Sequence, residues 1–139
     1  MTPLADIEAA IDDLERNAAK PAEAAGALLK SGEEILEHWL DAHGKAPTDE
    51  EKEGFRLLAL HRQAAQGDPS FNACRETCRE LAYYYNLITL DAAHAQAGQR
   101  LAMMAMVARH LYLFITGKMR TAELGEFCCS SRPLHANAN

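Results

Sequence analysis

Valine occurs once in this chain of 139 residues, and this scarcity limits the folds that the chain can adopt. Alanine occurs 26 times and leucine 17 times, against five isoleucines and six threonines. Strands recruit β-branched residues because these pack well on a pleated surface, whereas Ala and Leu are strong helix formers. At this length one hydrophobic core is sufficient. We therefore expect an all-α, single-domain helical bundle of five to seven helices.

Helix start and stop signals set the boundaries in the first half of the chain. Proline after Lys20 ends the first helix and starts a second one at Pro21. Ser31 and Glu34 match a capping box, so either a third helix begins there or the second helix runs through. Gly44 supplies a residue that tolerates the left-handed conformation, which predicts a helix end near this position.

The second half is predicted to contain the longest helices. A stronger capping box at residues 48–51 predicts a helix that opens there and stops at Gly67. Two further helices, about 69–88 and 91–116, are expected to form the central antiparallel pair of the bundle, with Gly117 ending the second of them. A short helix around residues 121–127 is expected to follow.

Residues 1–127 form the predicted domain, and residues 128–139 are expected to form a flexible C-terminal tail. The first residues lack the basic and apolar regions of a secretion signal. The most apolar stretch, 101–115, is too short to span a membrane and contains Arg109. We therefore expect a cytoplasmic protein with no membrane span, whose thiols stay reduced.

Charge is distributed unevenly along the chain. Residues 1–53 hold 14 acidic and 5 basic side chains, whereas residues 54–139 hold 6 acidic and 9 basic ones. The net charge of -6 removes any general expectation of nucleic-acid binding. The asymmetry predicts either an acidic face for a partner or two halves of one bundle that attract each other. We favour the second, because neither half contains a dense run of one sign.

Two of the predicted helices have distinctive apolar faces. Six residues in the first of them are spaced by three and four positions and predict one buried seam: Phe71, Cys74, Cys78, Leu81, Tyr85 and Ile88. The last helix has two apolar stripes, one at Leu101, Met104, Ala108, Leu111 and Ile115, the other at Met103, Val107, His110 and Phe114. A helix that is apolar on two faces is typical of a bundle centre or of a helix shared with an oligomer interface.

The cysteines are the first candidates for chemistry. Cys74 and Cys78 lie four residues apart, so one helical face carries both sulfurs, although a disulfide at this spacing inside a helix is strained. With Met103 they form a candidate soft-metal site for Cu(I) or Zn. Simple core packing is the alternative, because both thiols fall on the apolar seam. The adjacent Cys128 and Cys129 are interpreted as incidental tail cysteines.

Histidines provide a second set of candidates. His110 lies between Val107 and Phe114, where burial would keep it neutral, and His61 is flanked by leucines. His61, Tyr85 and His110 are therefore a candidate ligand pocket between helices, against the more ordinary interpretation of two core histidines. No motif for nucleophilic catalysis or phosphate binding is present, so catalytic residues are not assigned and an enzyme is not favoured.

Aromatic residues on the flanks of the helices predict an association surface. Tyr83 and Tyr84 cannot share the buried face with Tyr85, because consecutive helical positions differ by about 100°. With Phe114 they are candidate interface residues, since amphipathic aromatics are enriched at interfaces. Our first functional hypothesis is a non-enzymatic helical module that forms a homodimer or binds a protein partner.

The second hypothesis belongs to another class. In it the chain is a cytosolic metal-, ligand- or redox-responsive protein that uses Cys74 and Cys78 together with Met103 or His110. Uptake of metal by the reduced protein, or its absence in a variant without both thiols, would distinguish the two hypotheses.

Overall fold

The computed structural model describes residues 2–17 and 20–122, and within them the chain is helical with no β-strand. The elements are α1 (Leu4–Asn17), α2 (Pro21–Ala42), α3 (Arg56–Ala65), a 3-10 helix (Pro69–Cys74), α4 (Arg75–Leu90) and α5 (Ala97–Thr121). The all-α prediction is confirmed, and five α-helices agree with the expected number. Over the same described residues, none of the helices combines the length and the apolar character needed to cross a membrane.

Helix α2 is as central as the pair that the sequence placed at the core. The helices in the ranges 69–88 and 91–116 do pack against each other, as α4 and α5. However, α2 packs against each of the other four helices, whereas α5 packs mainly against α1, α2 and α4. Buried residues recur along the whole length of α2, from Ala24 to Leu40, because its apolar positions follow the helical period on more than one face.

The capping box at Ser31 lies inside α2, which decides between the two alternatives left open by the sequence. The Ser31 hydroxyl donates to the carbonyl of Ala27 at 3.1 Å, as a serine inside a helix does. The next residue, Gly32, is where helices approach closely, because a Cβ there would lie 3.1 Å from Leu81 Cδ1 and 3.2 Å from Leu57 Cδ1. The second helix therefore runs through this point.

The predicted helix start at residues 48–51 is wrong. Thr48 does cap a turn, since its hydroxyl accepts from the Glu50 amide at 3.1 Å. A tight turn then follows, in which Lys52 and Phe55 exchange two backbone hydrogen bonds of 3.0 Å around Glu53 and Gly54. Both turn residues have positive φ, 54° and 83°, which no α-helix accommodates. Helix α3 therefore begins only at Arg56.

The boundaries of α5 also differ from the prediction. The helix begins at Ala97 and continues through Gly117 to Thr121. Glycine inside a helix costs about 1 kcal/mol relative to alanine, so tertiary contacts beyond it must compensate. Met119 supplies such a contact, because it is buried after the glycine. Everything predicted from residue 123 onward, including Cys128 and Cys129, lies outside the described residues.

Lys118 fastens the end of α5 to the rest of the bundle. Its Nζ lies 5.3 Å from the ring centroid of Trp39, 5.1 Å from that of Phe71 and 5.8 Å from that of Phe114. The same ammonium lies 3.5 Å from a carboxylate oxygen of Asp68. Three cation–π contacts and one ion pair therefore converge on a single side chain.

Ion pairs connect the acidic half of the sequence to the basic half. Arg109 of α5 contacts Asp12 at 2.7 Å and Glu15 at 2.5 Å, both on α1. Arg56 at the start of α3 contacts Glu37 of α2 at 2.7 Å. These contacts agree with the interpretation that the two halves of one bundle attract each other.

Candidate functional site

The two seam cysteines lie where the 3-10 helix meets α4. Cys74 is the last residue of the 3-10 helix and the N-cap residue of α4, and Cys78 follows one helical turn later. Both are free thiols, with 1% and 0% of their surfaces exposed. The predicted buried seam is confirmed at both positions, and it carries the sulfurs into the interior rather than to the surface.

A third group, His61 of α3, joins the two thiols. Its Nε2 lies 2.8 Å from the carbonyl oxygen of Phe71, and Cys74 Sγ donates to the same oxygen at 3.4 Å. The imidazole and the thiol are thus brought together by one carbonyl group of the 3-10 helix, and they hydrogen-bond to each other. Asp68 holds this helix in place by accepting from the Ser70 amide at 3.2 Å.

The environment of Cys74 favours its thiolate. The hydrogen bond from Cys78 has the largest effect on the pKa of Cys74 and lowers it, whereas burial raises it. The hydrogen bond and charge of His61 act in the same direction as Cys78, and the pKa of Cys74 falls to about 6. A position at a helix N-terminus acts in the same direction. On deprotonation the contact with the Phe71 carbonyl becomes repulsive, so the thiolate depends on Cys78 and His61 for its stabilisation.

The partners of Cys74 shift in the opposite direction. The hydrogen bond to Cys74, together with burial, raises the pKa of Cys78 well above that of an ordinary thiol. Burial lowers the pKa of His61, but its hydrogen bonds to Cys74 and to the Phe71 carbonyl together raise it above the ordinary value. At neutral pH the cluster therefore favours a Cys74 thiolate beside a neutral Cys78 thiol, and the hydrogen bonds of His61 favour its charged form.

Met103 and His110, the predicted partners of the thiols, do not join them. Met103 is 43% exposed and lines a surface groove together with Tyr83. Tyr83 lies five residues after Cys78 on α4, which is about 8 Å along the helix. His110 is exposed on α5. Across residues 2–17 and 20–122, no group of three or more His, Cys, Asp or Glu side chains is arranged to hold a metal ion.

The three residues predicted to line one pocket, His61, Tyr85 and His110, lie in three different environments. His61 contacts Phe71 in the interior, whereas Tyr85 is half-buried and packs edge-on against Phe55 at 5.9 Å. The prediction that His110 is buried is wrong. Val107 is buried, but His110 lies about 60° further around α5 and faces solvent.

The exposed face of α5 carries its own apolar stripe, spaced by three, four and three residues: Met103, Met106, His110 and Leu113. Met106 is 42% exposed and Leu113 is 55% exposed. The predicted second stripe is thus rotated, with Val107 in the core and Met106 and Leu113 outside. This face points away from the buried face of the same helix.

The predicted interface residues lie on separate surfaces. Tyr83 is exposed, stacks edge-on against Tyr84 at 5.3 Å and borders the groove beside Met103. Phe114 instead packs edge-on against Phe71 at 6.1 Å, beside the ammonium of Lys118. The two tyrosines therefore extend the exposed stripe of α5, and Phe114 does not.

Comparison of the chain with protein-family models, with curated proteins and with solved structures found no match.

Proposed function

We propose that this protein is a thiol-based redox protein in which a hydroperoxide oxidises Cys74 and Cys78 resolves the product as a disulfide. The observation that supports the proposal is the enclosed cluster in which the Phe71 carbonyl brings His61 and Cys74 together and Cys78 hydrogen-bonds to Cys74. A cysteine with a neighbouring proton donor and a second thiol is the arrangement that reversible thiol oxidation requires. In this proposal His61 takes the role that the sequence-based hypothesis gave to Met103 or His110.

In the first step, Cys74 Sγ attacks one oxygen of the hydroperoxide. An S–O bond forms and the O–O bond breaks, so that two electrons pass from sulfur to the peroxide. The departing alkoxide takes a proton from the His61 imidazolium and leaves as an alcohol, or as water when hydrogen peroxide is the oxidant. The product is a sulfenic acid on Cys74.

In the second step, Cys78 Sγ attacks Cys74 Sγ, the S–S bond forms, and the S–O bond breaks. Hydroxide departs with the proton of Cys78 as water. Because Cys74 is an N-cap residue, its own N–H is not part of the α4 ladder. The backbone on the N-terminal side of Cys74 is therefore less constrained than in a mid-helix pair, which reduces the strain expected for the disulfide, while the Cys74 carbonyl still accepts the first hydrogen bond of α4.

The proposal requires a compartment in which the disulfide is reduced again, and we place the protein in the cytoplasm. Because Cys74 is enclosed, small hydroperoxides are expected to react faster than bulky ones. Oxidation of the two thiols then signals a rise in the hydroperoxide concentration. The reducing cytoplasm converts the Cys74–Cys78 disulfide back to the two thiols.

The test uses the reduced protein in a background where Cys128 and Cys129 are serine, so that the tail thiols do not contribute. Hydrogen peroxide should lower the mass of the peptide that spans Cys74 and Cys78 by two hydrogen atoms. Cys78→Ser should instead accumulate a sulfenic acid that dimedone traps on Cys74, and His61→Asn should slow its formation.

Circular dichroism on each variant verifies the fold, and Cys78→Ala serves as a second variant if the serine destabilises the core. Equal oxidation of the Cys74→Ser variant would overturn the proposal. So would the absence of a Cys74–Cys78 disulfide in the folded protein.

A second candidate function, homodimerisation, is favoured by the exposed stripe of α5. Its residues repeat at heptad spacing and carry no carboxylate, lysine or arginine, so the stripe on a second copy can pack against it around a two-fold axis. In an antiparallel arrangement, Met106 of each copy meets His110 of the other. Tyr83, beside Met103, widens the apolar area.

Sedimentation equilibrium tests the dimer. Leu113→Glu should shift the protein towards monomer, because the exposed side chain contributes to the interface and not to the core. Ala27→Glu, which adds the same charge at an exposed position of α2, is the matched control and should leave the equilibrium unchanged. A wild-type monomer at tens of micromolar would contradict this candidate.

A further inference from the structure

A groove of about 350 Å³ lies between α3 and the beginning of α4, and His61 lines it while neither thiol does. Among the residues that the structure describes, four cationic side chains and no carboxylate line it: Lys52, Arg62, Arg75 and Arg79. The volume is within the range of small-molecule sites. His61 forms part of its wall and is thus shared between the groove and the thiol cluster.

One carboxylate, that of Glu53, partly compensates the cations of this groove, because its charge interacts with Arg79, Lys52 and Arg75. Arg79 forms a two-pronged ion pair with Glu53, at 2.9 and 3.1 Å. Among residues 2–17 and 20–122, no carboxylate lies within ion-pair distance of Lys52, Arg62 or Arg75. The whole chain carries a net charge of -6, so this concentration of positive charge is not a consequence of composition.

Polar neutral side chains complete the lining. Gln66 follows the end of α3, and Asn72 lies in the 3-10 helix, so amide groups border the space between the arginines. Arginine binds carboxylates and phosphates through paired N–H donors, and amides add directional hydrogen bonds. A concave surface on which cations outnumber carboxylates focuses the local field and concentrates anions.

From these observations we infer that the groove binds a small molecule with two or more carboxylate or phosphate groups, held by Arg62, Arg75 and Lys52. A single anionic group would engage only part of this set. Such a ligand would lie against His61, the proton donor of the proposed redox cluster. Its negative charge would stabilise the imidazolium, and occupancy would thereby alter the reactivity of Cys74. This coupling rests on the proposed function, whereas the binding itself does not.

Isothermal titration calorimetry at constant ionic strength tests the binding, with pyrophosphate, succinate and inorganic phosphate as probes. Pyrophosphate or succinate should bind with one-to-one stoichiometry and more tightly than phosphate. Preference between the first two distinguishes a phosphate ligand from a carboxylate ligand. Arg62→Gln and Arg75→Gln should each weaken binding about tenfold, because each removes a charge-assisted contact.

Arg16→Gln removes an exposed arginine from α1 and should leave the affinity unchanged. Arg75→Lys, which keeps the charge but not the paired donors, should weaken binding less than Arg75→Gln. Equal affinity of the wild type and the Arg62→Gln/Arg75→Gln variant would overturn the inference. Tighter binding of an acidic peptide than of either small anion would also overturn it, in favour of a protein ligand.

The double variant Cys74→Ser/Cys78→Ser separates this inference from the proposed function. It should bind the probe as the wild type does, because neither sulfur lines the groove. If the wild type forms the disulfide but binds no anion, the groove proposal fails and the redox proposal stands. If the anion binds but no disulfide forms, the opposite holds.

Discussion

The carbonyl of Phe71 is the group around which the candidate site is arranged. It receives the imidazole of His61 and the thiol of Cys74, from two helices that are separated by a loop. The sequence indicated the thiol pair, because four-residue spacing places both sulfurs on one helical face. It also marked His61 as a candidate, but it carried no signal for the pairing of His61 with Cys74, because that pairing depends on the 3-10 helix that returns the chain towards α3.

The protonation of Cys74 gives a prediction at the scale of the residue. Its thiolate should form as the pH rises through about 6, well below the range of an ordinary thiol. Below that pH the thiol is protonated and its reactivity is lost. The ultraviolet absorbance of the thiolate, recorded against pH in the background without tail cysteines, measures the midpoint.

Two variants identify the cause of that midpoint. Cys78→Ala should move it to higher pH, because the thiolate loses its strongest hydrogen bond. His61→Asn should also raise it, since the positive charge disappears. The same titration in Cys74→Ser should show no thiolate at this pH, and a signal that persists there would assign the low midpoint to another residue.

At the scale of the element, periodicity predicted what packs, and local signals predicted less reliably where helices begin and end. The predicted seam, which runs from Phe71 in the 3-10 helix to Ile88 in α4, is buried, with Tyr85 half-buried. Its spacing of three and four residues does not depend on where the helix begins. The helix start at Thr48 failed because the turn at Glu53 and Gly54 intervenes. The stop at Gly117 failed because contacts beyond it outweigh glycine's low helix propensity.

Alanine substitutions at Gly26 and Gly32, both within α2, compare an open position of the helix with a crowded one. Gly26→Ala should stabilise the protein by about 0.5–1 kcal/mol, because a Cβ there meets nothing within 4 Å. Gly32→Ala gains the same helix propensity but pushes against buried methyl groups of Leu57 and Leu81. Overpacking costs about 1–3 kcal/mol, so its net effect should be neutral or destabilising. Urea denaturation of both variants measures the difference, and equal stabilisation would show that the core yields at Gly32.

At the scale of the whole molecule, acidic side chains from the first half of the sequence form ion pairs with basic side chains from the second half. Arg109→Gln removes two contacts that hold α1 against α5 and should lower the free energy of unfolding by about 1 kcal/mol, since the groups are partly exposed. The loss should shrink as salt is added. Thermal denaturation at two ionic strengths measures it, with Arg16→Gln as the control. A salt-independent loss would indicate packing rather than charge.

Lys118 has one more consequence. Three aromatic rings surround its ammonium group at 5.1 to 5.8 Å, an arrangement that other proteins use to recognise alkylated amines. Here the bundle fills its aromatic cage with its own side chain. Lys118→Ala would leave that cage vacant, and an added alkylammonium ion should then restore thermal stability where a neutral alcohol of the same size does not. The Lys118 side chain thus occupies, within the same chain, the position that a free alkylammonium ion would take between the three rings.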